Sequence, residues 1–440
     1  MSPSPQTPTN SLKNVEETVR DVLLLPDEGV IKVLTASIVA NRLGLDPVWL
    51  IIIGGSGTGK SELINMTGDL DFIHPISDLT TNTFASGLER RGEETSLLNK
   101  VNNGIMTFKD FTSVLSKHRD ARTEIMGQMR EIYDGQYTKR TGNAKDIAWR
   151  GRVGAVAAST GIIYKYIGEL AAMGNRFMMY HMDKPDRIEV SLRAAENARN
   201  METHRKRMRN AFKLFVEHVL KNIDIDDIEI KQETKERIVR VADLTARVRS
   251  GISKDSNTGE IDFVPDPEVG TRITQQLMTM ATAFIAMNRA DESIEDDHAA
   301  YEGQLTEDEI QHLFKIGFTS IPKTRRDVLM LMAEYENGVM ASGVSQEQSI
   351  STNMASQYLR AIDALGVGTK SKHNSNIIYH IKEKWRDMVL ELEDKKPKDA
   401  MLEPMEIARI DDRVEDEDDD GFGEVELDDD DDLEFGIDDF

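Results

Sequence analysis

The 440-residue chain contains no cysteine. Disulfides, iron–sulfur clusters and thiolate zinc sites are thereby excluded, and the composition suits a reducing compartment. Long apolar runs are missing too. Val48–Ile53 falls far short of the roughly 20 residues that a membrane-spanning helix needs. Met1 to Asn10 is rich in Ser, Pro and Thr and lacks a charged start with an apolar core, so it reads as a disordered tail and not as a signal peptide. There is no internal repeat, no zinc spacing, no nucleophile triad and no primase-type acid cluster. Positive charge is in deficit, 54 Lys and Arg against 78 Asp and Glu, a net of −24. The deficit is local. Residues 410–440 hold 18 acids against Arg413 alone, a net of −17, which leaves −7 for the other 409 residues. A nucleic-acid partner would therefore need a local basic patch.

What the sequence does have is centred on the stretch from Leu50 to Ser61. The apolar run Val48–Ile53 reads as a buried strand. It enters the turn Gly54-Gly55-Ser56-Gly57-Thr58-Gly59 and then Lys60-Ser61 and a helix-compatible segment. The spacing is G-x-x-x-x-G-K-[ST]. Glycines let the backbone curl so that successive N–H groups point at phosphate oxygens, and the following helix adds its positive end. Lys60 can reach the β- and γ-phosphates, and the Ser61 hydroxyl can ligate Mg²⁺. The reading is a nucleoside triphosphate site, with ATP and Mg²⁺ as cofactors.

Further strands are expected at Asp71–Ile76, Ile105–Phe108, Val153–Ala158 and Phe177–His181. Helices are expected at Val15–Leu24, Glu28–Leu43, Phe111–Tyr133 and Ile163–Ala172. That alternation predicts an α/β fold with a mostly parallel sheet. Gln136–Arg150 reads as a hairpin turning at Gly142-Asn143. After about residue 187 the pattern is helical: Glu189–Leu220 for the most part, Gln232–Arg249, Thr271–Arg289, and a helix opened by the capping box at Thr306 and Glu309, with Ser250–Pro267 a loop. From Lys323 to Trp385 three helices precede two short strands, the winged-helix order. Asp110, after the Ile105–Phe108 strand, is the candidate acid for holding Mg²⁺ or orienting water. The pair there is Lys109-Asp110 where two consecutive acids are usual, so one role is unfilled. The plain alternative is that Asp110 caps the next helix.

The runs Pro47–Leu50 and Gly59-Lys60-Ser61, Lys109–Thr112, Ala158-Ser159-Thr160 and Gly174-Asn175-Arg176-Phe177 together resemble an AAA+ ATPase, nearest the MCM-like helicase and replication ATPases of phages and mobile elements. The resemblance spans roughly residues 28–385 in architecture, with specific motifs confined to those runs. It implies a P-loop core over 15–187 after a disordered 1–14, an α-helical lid and linker over 188–318, a winged-helix-like domain over 319–390 and a disordered acidic tail over 391–440. It implies catalytic roles for Lys60, Asp110, Thr160 (or Ser159 beside it) as sensor 1, Arg176 as an arginine finger and Arg272 as sensor 2. A finger acting on a neighbour implies a homo-oligomer, a hexamer. Each arginine has a bland alternative as a surface or salt-bridge residue.

The hairpin occupies the slot of a DNA-gripping pore loop in that clade, with Lys139, Arg140 and Lys145 as cations for single-stranded or duplex DNA. Ser356, Gln357 and Arg360 on the recognition helix, and Lys370, Lys372 and His373 in the wing, could approach DNA; protein contact is the alternative. The basic helix with Arg199, Arg205, Lys206, Arg207 and Arg209 is a nucleic-acid surface, a docking site for the tail or a solvated face. The tail carries Phe422, Leu427, Leu433, Phe435, Ile437 and Phe440 among its acids, which points to docking of a replication protein, to autoinhibition, or to solubility alone. The expectation is a DNA-translocating ATPase in the cytoplasm of a bacterium or an infected host cell, with no membrane partner. An ATP-switched initiator or helicase loader, and a nucleotide-regulated scaffold acting through its tail, are the alternatives.

Overall fold

Trp49 to Ile53 are apolar and three of the five are isoleucine, a composition suited to a parallel strand covered on both faces. The computed structural model places this stretch as an inner strand of one five-stranded sheet. The structure describes residues 9–398, except 86–88, 91–92, 95, 141–145, 167–169, 171–173, 175, 252, 255–260, 264–266, 295–304, 374–375, 393–395 and 397.

The strands are β1 (Trp49–Ile53), β2 (Ile73–Pro75), β3 (Ile105–Phe108), β4 (Gly154–Ser159) and β5 (Phe177–His181). Their order is β2-β3-β4-β1-β5, and every pairing is parallel. Ile53 lies opposite Ser159 on one side and His181 on the other. All five residues of β1 are fully buried. Alternation sends Leu50 and Ile52 into one core and Trp49, Ile51 and Ile53 into another.

The first core is closed by α1 (Leu12–Arg20), α2 (Gly29–Ala40) and α3 (Lys60–Met66), and by helices from later in the chain. On the other face lies α4 (Arg119–Tyr133), with a hairpin whose strands Gln136–Arg140 and Asp146–Arg150 pair antiparallel. After the sheet come α5 (Arg187–Asn197), α6 (Met201–Asn222), α7 (Gln232–Arg249), α8 (Thr271–Ala290) and α9 (Glu307–Thr319). The capping box at Thr306 and Glu309 is present. Next are α10 (Lys323–Glu334), α11 (Ala341–Gln348) and α12 (Thr352–Ala364), then the antiparallel strands Gly368–His373 and Asn376–Ile381 and finally α13 (Glu383–Glu391). A third core joins Met332, Leu359, Ile362, Trp385 and Val389 to Leu244 and Val248 of α7.

Three local expectations need correcting. Phe111–Tyr133 is not one helix. A turn at Thr112–Leu115 stops, and α4 restarts at Arg119 after an extended His118. The Ser116 N–H closes back on Thr112 O at 2.8 Å, and Arg122 Nη1 donates to Leu115 O and Lys117 O at 3.1 and 2.9 Å. Side-chain capping of those carbonyls replaces the helical bonds. Glu189–Leu220 is largely helical as expected, with residues 198–200 separating α5 from α6. The start of the expected Ile163–Ala172 helix is a 3₁₀ segment, Gly161–Tyr166. The Ser250–Pro267 loop contains two short paired strands, Ser253–Lys254 and Ile261–Phe263. Among the described residues no helix is long and apolar enough to cross a membrane. Lys145 and the acidic segment from 399 onward lie outside the described residues.

Candidate functional site

The turn after β1 is held by its own backbone. Gly57 and Gly59 take φ of +80° and +83°, a region that a Cβ disfavours, and α3 starts directly after Gly59. A Cβ on Gly59 would also press on Leu23 Cδ1, 3.2 Å away. The Gly54 N–H donates to Ser159 O at 3.2 Å, which fastens the turn to the end of β4.

Lys60 points inward and is 8 % exposed. Its Nζ donates to Gly54 O at 3.0 Å, to Gly55 O, and to Thr58 Oγ1 at 3.3 Å. Burial holds its pKa below the ordinary lysine value, against an opposing pull from Asp110. A desolvated ammonium whose hydrogen-bond partners are neutral oxygens is underserved in charge. An anion entering the turn would supply what it lacks. Ser61, exposed in the first turn of α3, is free of the core. These residues fit a triphosphate with its Mg²⁺.

Asp110 follows β3 and is exposed. Its Oδ1 accepts from the Thr112 N–H at 2.9 Å, so it caps the turn that follows while its charge still acts on Lys60. Ser159 ends β4, buried, with Oγ 3.2 Å from Thr112 Oγ1 and 3.3 Å from Thr160 O. Thr160 is half-buried at the next position. Residues 54–61, 110, 159 and 160 thus gather at the C-terminal ends of three neighbouring strands.

The two arginines do not join them. Arg176 precedes β5, and β5 runs parallel to β1 with Phe177 opposite Trp49. Five strand residues at about 3.3 Å each put Arg176 at the other end of the sheet, about 16 Å from the turn. It is buried, bound to Asp134 through Nε and Nη2 at 3.2 and 2.5 Å, and stacked 5.5 Å over the Tyr133 ring. Arg272 Nη1 donates to Gly174 O and to Glu268 Oε1 at 2.8 Å. A Cβ on Gly174 would fall 2.7 Å from Arg176 Nη1 and 3.4 Å from Arg272 Nη1, so the two guanidinium groups are neighbours. Arg249, buried beside them, has its pKa pushed down to about 10 by burial, against the pull of Glu268.

Of the expected DNA contacts, Lys139 donates to Thr81 O and Asn82 Oδ1, both at 2.9 Å, and so braces the hairpin against the protein. Arg140 is exposed. Lys370 pairs with Asp363 at 3.4 Å, while Lys372 and His373 are exposed on the same strand. Ser356, Gln357 and Arg360 are half-buried on α12. In the basic helix, Arg205 holds Glu62 of α3 through bonds of 2.9 and 2.7 Å, Arg209 meets Asp69 at 3.2 Å and Arg207 meets Asp21 at 3.4 Å. These cations dock α6 onto the start of the fold.

A wall of the site escaped the sequence reading. A cavity of about 390 Å³ extends from residues 57–62 to Val22–Leu24 and to α5 and Met201. The short apolar run before Pro26 and the Val190–Ala194 spacing were the available signals, but neither indicates which partner it faces. Compared with protein-family models and with curated proteins, the chain has no match.

Proposed function

We propose that this chain is an ATP-hydrolysing AAA+ motor that acts on DNA, a replicative or replication-associated helicase assembled as a homo-oligomer. One observation carries the reading: a buried Lys60 inside a Gly54–Ser61 turn at the C-terminal end of the inner strand β1, with Asp110, which follows β3 of the same sheet, acting on it. Gly54 to Ser61 would hold the triphosphate, with Lys60 neutralising its charge and Ser61 and Asp110 holding Mg²⁺. When bound, the ion would polarise the phosphoryl oxygens. Thr160 or Ser159 would position the attacking water. The strand order with β1 between β4 and β5, and helices α10–α12 followed by two antiparallel strands, support the AAA+ and winged-helix assignments.

A second reading, an ATP-switched initiator or loader, is favoured by two placements. Asp110 stands without a second acid and also serves as a cap, and Arg176 is committed to Asp134 within its own subunit.

ATPase turnover with and without single-stranded DNA, alongside strand separation, tests the proposal. DNA-stimulated turnover with unwinding supports the motor. Nucleotide binding with slow, DNA-indifferent turnover supports the switch. A chain that binds no nucleotide overturns both. Lys60→Ala abolishes activity under either reading. Arg176→Ala spares binding, stops hydrolysis and poisons mixed oligomers if the site is shared between subunits.

A further inference from the structure

The cavity beside the phosphate turn has a second end. Away from residues 57–62 its lining is mostly apolar, with Leu23 and Leu24 on one side and Val190, Ala194 and Met201 on the other. Two apolar walls suit a flat heterocycle. Only Arg193 and Asn197 bring polar side chains to that end among the described residues.

Both are tied to the C-terminal end of α1, where helix carbonyls lack partners of their own. Arg193 Nη1 donates to Arg20 O at 3.1 Å. Asn197 Nδ2 donates to Asp21 O at 3.3 Å and to Val22 O at 3.0 Å. Those two bonds fix the carboxamide. Flipped, its oxygen would face two carbonyl oxygens, which can only accept. The amide nitrogen is therefore turned to the end of α1, and Oδ1 remains as an acceptor on a residue that lines the cavity.

We infer that Asn197 selects the base: its Oδ1 accepts a hydrogen bond from the 6-amino group of a purine, so the site takes 6-aminopurine nucleoside triphosphates and rejects 6-oxopurines. This rests on the proposed nucleotide site. Adenine carries a donor at that edge, where guanine and hypoxanthine carry an acceptor. A 6-oxo group would set oxygen against oxygen and leave both unpaired, which is costlier than removing the amino group altogether.

Titration calorimetry on the full chain with Mg²⁺ and ATP, purine riboside triphosphate or inosine triphosphate tests this. ATP is expected to bind about tenfold more tightly than purine riboside triphosphate, and inosine triphosphate more weakly still. Asn197→Ala should bring ATP down to the purine riboside level without weakening inosine triphosphate. Arg193→Ala loosens the same helix but keeps the carboxamide, so it should weaken all three by one factor. Equal affinity for ATP and inosine triphosphate in the wild type overturns the inference and leaves the phosphate turn standing. So does an Asn197→Ala variant that weakens all three alike. No binding of any of the three overturns the proposed function itself. If Asn197→Ala does not fold, the wild-type series alone decides.

Discussion

Arg205 of α6 grips Glu62 of α3 through two parallel hydrogen bonds of 2.9 and 2.7 Å. Glu62 is two residues beyond Lys60, so the helix that begins at the Gly54–Ser61 turn is fastened by a side chain from more than a hundred residues later. The pairing holds the Glu62 carboxyl below its ordinary pKa, chiefly through the Arg205 hydrogen bonds. A depressed carboxylate contributes stability that is present above its unfolded pKa and is lost as pH falls through the folded value. Wild type and Glu62→Gln should differ in melting temperature at pH 7, with the wild type higher, and converge as pH falls below about 4. Thermal melts across that range check it.

Lys60→Ala should separate stability from ligand response. The Lys60 ammonium is desolvated and bonded to carbonyls that the turn can present to water, so its loss should leave the melting temperature close to wild type. In the wild type, ATP at a hundredfold excess over Kd should add about 2.7 kcal/mol of stability. The variant should gain none. Melting with and without nucleotide gives the answer.

Asp134→Ala should expose what Arg176 needs. It removes the carboxylate from a guanidinium that is 4 % exposed and leaves that charge buried. Asp134 itself is 44 % exposed, so the loss should be about 2 kcal/mol, below that for a fully enclosed pair. Urea unfolding measures it. A loss of turnover at unchanged stability would instead place Arg176 in the service of a neighbouring subunit.

Gly29→Ala should destabilise by about 1–3 kcal/mol. An added Cβ would lie 2.2 Å from the His312 ring, which fixes how closely α2 and α9 approach. Adding His312→Ala should restore much of the loss, a coupling that a double-mutant cycle reads directly.

The strands were legible because period and length sufficed. Ile105–Phe108 and Phe177–His181 fall where the apolar runs put them, and the turn at Gly54–Ser61 announces itself by spacing. The break at Ser116–His118 was not legible, because Arg122 makes it by reaching back to two carbonyls, and periodicity carries no record of such a bond. The same holds for the site. Local sequence determined the Gly54–Ser61 turn, since its geometry depends on glycine φ angles and adjacent residues. Tertiary structure alone decided that Arg205, Lys139 and Arg176 spend their charge on Glu62, the Thr81–Asn82 loop and Asp134, and that Leu23, Val190 and Asn197 share one cavity. Cations carry no mark in sequence of whether an acceptor waits for them inside the same chain, because that depends on contacts closed over 42 to 143 residues.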